Sequence, residues 1–228
     1  MKNGDMAISY TLRKLAFDKT IQGMVKGLYE EKDTVGPISL YLPYANDRMN
    51  KVNENMYLNG EEVEYDSCFK LEDSQLINEL TRLGVLSHKS DVKFYEWDDE
   101  NGSACGLIIK NPAFIEHYHK WIRDLEHILN YGVFSLHTFT GEAYCLDNRG
   151  DFKTSSGIFR VFQELMRDPS HVLTYNQVAD LCFEEHVQDF EVQVVHQAIY
   201  DIREKLKIKG DMSELIVSAD KKYLLRTM

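Results

Sequence analysis

The chain has 228 residues, 43% of them hydrophobic, and a formal net charge of −11. That length suits one large domain or two small ones, and the apolar and aromatic content excludes a disordered chain. No apolar run is long enough to cross a bilayer, and the first residues lack the apolar stretch of a signal peptide, so a cytoplasmic location is expected. The four cysteines, Cys68, Cys105, Cys145 and Cys182, form no Cys-x-x-Cys pair. That excludes a zinc ribbon or a thioredoxin-type motif and leaves buried free thiols as the expectation. The acidic balance means that a nucleic-acid partner would need a local basic patch.

The first predicted helix runs from Ser9 to Glu31, with Leu12, Leu15, Ile21, Met24 and Leu28 on one face. Gly36-Pro37 closes it, and Ile38–Leu42 reads as a short strand. Residues 46–64 are polar and carry no clear pattern. A second helix starts at an N-cap, Asp73 or Ser74, buries Leu76, Ile77, Leu80 and Leu83, and stops at Gly84. Val92–Trp97 and Ala104–Ile109 read as a hairpin around Asp98-Asp99-Glu100-Asn101-Gly102. Asn111-Pro112 opens a helix with Phe114, Tyr118, Trp121, Leu125 and Ile128 on its apolar stripe, ending near Asn130-Tyr131-Gly132. This places a domain boundary between residues 132 and 133.

From Val133 the pattern changes to a small antiparallel meander, with turns at Thr140-Gly141-Glu142 and Asp147-Asn148-Arg149-Gly150. Three helices follow. The first carries Ile158, Phe162, Leu165 and Met166 and is stopped by Asp168-Pro169-Ser170. The second starts at Thr174 with Gln177 three residues on, a capping-box spacing, and turns Val178, Leu181 and Cys182 inward. The third alternates spacings of three and four through Val192, Val195, Ile199, Ile202 and Leu206. A strand pair, Leu215–Ser218 and Tyr223–Leu225, ends the chain.

Meander, three helices and terminal hairpin together resemble the effector domain of OmpR/PhoB-type response regulators. Leu165-Met166-Arg167-Asp168-Pro169-Ser170-His171-Val172-Leu173-Thr174 is similar to that family's turn between its first two helices. Ile199-Tyr200-Asp201-Ile202-Arg203-Glu204-Lys205-Leu206 is similar to the end of its recognition helix. The fold expected is therefore α+β: an N-terminal domain over 1–132 of helices and a hairpin, itself similar to a degenerate winged helix, and a C-terminal winged helix over 133–228.

The resemblance implies a DNA-binding transcriptional regulator whose third helix lies in the major groove. Its outer face presents Gln193, His196, Gln197, Tyr200 and Arg203, with Lys205 and Lys207 beyond, and Lys221 and Lys222 sit at the hairpin tip. Glutamines suit adenine edges, and arginine suits guanine or phosphate. The resemblance also implies a homodimer on repeated half-sites, and RNA polymerase or another protein as a partner of the acidic region 180–191. Departures from the family pattern are concentrated where DNA is touched. Gln193 replaces an arginine, and the hairpin lacks the family's arginine and glycines. The alternative is a winged helix that serves as a protein-interaction module. The N-terminal part shows no receiver pattern, no enzyme signature appears, and no metal or cofactor is expected. His117 and His119 stand two apart on a helix, on different faces, which suits a shared metal poorly.

Overall fold

The structure is a computed structural model that describes residues 7–36, 38–43, 56–58, 61–63, 71–88, 95–96, 102–186 and 189–227. It divides into two units, Met1–Leu125 and Glu126–Met228. Both mix helices with small antiparallel sheets.

The first unit begins with α1 (Tyr10–Leu15) and α2 (Lys19–Glu30), where one continuous helix was expected. Asp18 causes the break. Its carboxylate accepts the N–H groups of Thr20 and Ile21 and so starts a new helix. The strands are β1 (Ile38–Pro43), β2 (Met56–Leu58), β3 (Glu61–Val63), β4 (Leu86–His88), β5 (Tyr95–Glu96) and β6 (Gly102–Ile109). Their order is β3-β2-β1-β6-β4, with β5 also on β6, and every pair is antiparallel. The expected hairpin thus survives as the pairing of β5 with β6, but it belongs to a wider sheet centred on β1 and β6. Of its expected turn, Asp98 to Gly102, the first four residues lie outside the described residues and Gly102 opens β6.

The other helices of this unit are α3 (Leu71–Arg82) and α4 (Pro112–Arg123). Asn111 caps α4 by accepting the Phe114 N–H, with Pro112 at the first position. Leu12, Ile21, Met24, Val25, Leu28, Phe114, Ile115, Tyr118 and Trp121 are buried. The Tyr118 hydroxyl donates to the Leu12 carbonyl at 2.7 Å, which satisfies the polar end of a ring that burial keeps un-ionised.

The unit boundary falls seven residues earlier than expected because α4 stops at Arg123. Ile128 to Tyr131, read as the helix end, form strand β7 and pair with β8 (Phe134–His137). The meander is completed by β9 (Glu142–Cys145) and β10 (Asn148–Asp151) in the order β10-β9-β8-β7. Its last turn is only Leu146-Asp147, since Asn148 already pairs with Cys145.

Three helices follow the meander, α5 (Gly157–Arg167), α6 (Tyr175–Phe183) and α7 (Val192–Lys205); α5 packs on β7 and α7 on β10, while α6 packs on the other two helices. The capping box at Thr174 forms, with Gln177 reaching back to the Thr174 N–H at 2.8 Å. Leu181 and Cys182, expected inside, are half-buried; Val178 and Ala179 are the buried residues of α6. Strand β11 (Val172–Thr174), between α5 and α6, joins β12 (Ile216–Ala219) and β13 (Lys222–Leu225) in the order β11-β13-β12. Phe134 and Phe152 both meet Phe162 of α5, at 6.0 and 5.5 Å between ring centres.

Two close approaches fix the helices. Gly157 leaves no space for a side chain against the Cys182 backbone, so α5 starts hard against the end of α6. Gly150 does the same for β10 against the Lys205 carbonyl. Arg160 adds a clamp: its guanidinium donates to the carbonyls of Leu181 at 2.8 Å and Ser155 at 3.1 Å, and pairs with Glu184 at 2.5 Å.

Candidate nucleic-acid interface

Helix α7 is helical for the reason its spacing predicts. Val195, Ile199, Ile202 and Leu206 are buried, together with Ala198. Val192 is the exception, 47% exposed at the first position, where no neighbouring turn covers it. Gln193, His196, Gln197 and Tyr200 are exposed on the opposite side, as an outward polar face requires.

The candidate residues divide sharply once their partners are considered. Gln193 and Gln197 wall a cleft of about 470 Å³ whose other side is Ser156, Gly157, Ile158 and Cys182. The Gln197 amide donates to Asp201 at 2.7 Å, which fixes its orientation. Tyr200 is 55% exposed and borders a second cleft, of about 450 Å³, between α7 and β12. His196 shares a hydrogen bond between its Nδ1 and the Tyr223 hydroxyl. Arg203 is half-buried, and its Nη2 donates to the Ile216 carbonyl at 2.6 Å. Lys205 turns to the meander, where its Nζ donates to the Asp151 carbonyl at 3.0 Å and lies 5.6 Å from the Phe152 ring centre.

Arg203, half-buried, and Lys205, exposed, thus each bond a carbonyl of a neighbouring element. Sequence spacing placed them near the polar face, but both sit on its flanks, within reach of carbonyls. Lys207, Lys221 and Lys222 are exposed and form no ion pair among the described residues. Lys209 is held by Glu204 at 2.9 Å, and that carboxylate raises its pKa.

An aromatic cluster beside α7 is not encoded in the helical spacing. Tyr175 stacks on Tyr223 with ring centres 5.2 Å apart and meets His196 edge-on at 5.3 Å. Its hydroxyl is 3.0 Å from Ser218 Oγ. Burial, followed by the hydrogen bond with Tyr175, pushes the Tyr223 phenol up to about 12. The available signal was the alternation of β13, which turns Tyr223 and Leu225 the same way, and the place of Tyr175 directly after a strong cap.

The acidic approach to α7 is partly consumed internally. Glu184 pairs with Arg160, and Asp180 lies 3.1 Å from His186. Glu185, Asp189 and Glu191 remain exposed. In the first unit, His119 stacks on Tyr29 at 4.2 Å. Burial, then the nearby Arg123, lowers its pKa. Among the described residues no cluster is arranged to hold a metal, and no helix is long and apolar enough to cross a membrane. Comparison with family models, curated proteins and solved structures returns no match.

Proposed function

We propose that the second unit is a winged helix of OmpR/PhoB type that binds duplex DNA, within a transcriptional regulator whose first unit is not a phosphoreceiver. One observation carries the reading: α7 presents an exposed polar face beside a hairpin whose tip bears two lysines without ion partners among the described residues. The three-helix arrangement, with β11 joined to the terminal hairpin, supports the fold assignment. In this reading α7 enters the major groove, Gln193, Gln197 and Tyr200 face base edges, and Lys207, Lys221 and Lys222 meet phosphates. The functional unit is a homodimer on repeated half-sites.

The test is selection from random duplexes by the full chain at low salt, followed by affinity against salt. A sequence should be enriched, and Lys221→Ala should lower the salt slope by about one. Enrichment of nothing sinks the proposal. The second reading is a protein-interaction module, with RNA polymerase as the family's own partner. It is favoured by exposed Glu185, Asp189 and Glu191, and by the engagement of Arg203 and Lys205 inside the unit. Failure of the selection, with capture of purified polymerase lost on Glu185→Lys, would select it.

A further inference from the structure

We infer that His196 and Arg203 are positioning residues that fasten α7 to the terminal hairpin, so that helix and hairpin tip behave as one body. The consequence for DNA rests on the DNA-binding reading above; the fastening does not.

His196 and Arg203 are seven positions apart, two helical turns and about 10 Å along the axis, so they share one flank of α7. Each meets a different strand. His196 is bonded to Tyr223 of β13, and Arg203 to the backbone of Ile216 of β12. A single attachment would act as a pivot. Two attachments on different strands define an orientation.

The hairpin presents the second acceptor for a reason. Asp220 and Lys221 both have left-handed backbones, with φ of 49° and 56°, and close a two-residue turn between Ala219 and Lys222. In an antiparallel pair, bonded and non-bonded positions alternate. Ala219 and Val217 therefore direct their backbone groups to β13, and Ile216 and Ser218 direct theirs outward. The Ile216 carbonyl is the outward acceptor that the Arg203 guanidinium reaches. The Nε of Arg203 is buried without a hydrogen-bond partner among the described residues, which marks this side chain as part of the wall and not as a free contact. Tyr175, stacked on Tyr223 and bonded to Ser218, adds the start of α6 to the same assembly.

The experiment compares Arg203→Ala, Arg203→Lys, His196→Ala and His196→Gln with Lys222→Ala in the full chain. Amide hydrogen exchange over β12 and β13 reads the fastening, and salt slope and base preference on a selected duplex read the contacts. Arg203→Ala should speed exchange across β12 by about tenfold, as loss of a charge-assisted bond implies. It should broaden base preference and leave the salt slope unchanged. Lys222→Ala should do the reverse, lowering the slope by about one with exchange unaltered. His196→Gln, which keeps an acceptor for Tyr223, should restore the protection that His196→Ala loses. Arg203→Lys keeps a donor and the charge, and gives a folded variant if alanine is not tolerated; its exchange should lie between wild type and Arg203→Ala. Unchanged exchange in Arg203→Ala and in Arg203→Lys overturns the fastening. A salt slope reduced by Arg203→Ala overturns its assignment as a positioning residue. If no duplex is bound, the DNA reading falls, and the exchange data alone decide the fastening.

Discussion

Replacing Gly150 with alanine tests the seating of α7 on the meander. The added Cβ would stand 2.6 Å from the Lys205 carbonyl oxygen and 3.0 Å from its carbon, against an ordinary contact that begins at 3.4 Å. Either β10 or the last turn of α7 must retreat by about 0.8 Å, and both are backbone. The end of α7 is also held by Lys205 on the Asp151 carbonyl and by buried Leu206, so retreat is resisted. Overpacking of this kind costs about 1–3 kcal/mol. At about 4–8 °C per kcal/mol for a unit of this size, the melting temperature should fall by about 4–24 °C. Both tryptophans, Trp97 and Trp121, lie in the first unit, so calorimetry is the suitable assay for the second. Gly210→Ala is the control: Gly210 has φ of 60° and nothing near its missing side chain, so it should lose only about 1 kcal/mol of backbone preference. A Gly150→Ala protein that melts within about 2 °C of the parent would refute the close approach, given that even the milder glycine effect exceeds this.

Thr174→Ala removes the capping box at α6 and should cost about 1 kcal/mol in urea unfolding, with the slope unchanged. Lys221→Gly relieves a left-handed lysine and should stabilise the hairpin by about 0.5–1 kcal/mol in urea unfolding; on the proposed DNA-binding function it should also weaken duplex binding at low salt. Tyr223 has a folded pKa raised to about 12 from the ordinary 10.0, so its neutral form is favoured in the folded state. Its contribution is fully present below pH 10 and is lost as pH rises towards 12; alkaline unfolding followed by calorimetry should shift to higher pH in Tyr223→Phe.

Local signals were legible where one short segment determines the outcome. The Thr174–Gln177 box, the Asn111-Pro112 start and the α7 stripe all act within one or two helical turns. The break at Asp18 shows only as a six-residue step from Leu15 to Ile21, about 240° around a continuous helix, between two stretches that each keep three-residue spacing. Strand β7 was hidden because Ile128 and Leu129 fit the α4 stripe equally well; pairing with β8 decided the matter. Among candidate contacts, exposure of Gln193, Gln197 and Tyr200 followed from periodicity. The roles of His196 and Arg203 did not, because their partners lie 27 and 13 residues away. No helical pattern encodes a carbonyl on another element.

The Arg160 clamp has a consequence for how this chain can change length. Helices usually depend on the residues that follow them to satisfy their last carbonyls. Here α5 supplies a donor to the end of α6 from the side, through a guanidinium already seated on Leu181 and paired with Glu184. The Leu181 carbonyl is thereby satisfied without the residues that follow Glu185. Added residues between there and Glu191 would leave both helices seated, which makes this connection the natural place to insert a reporter peptide.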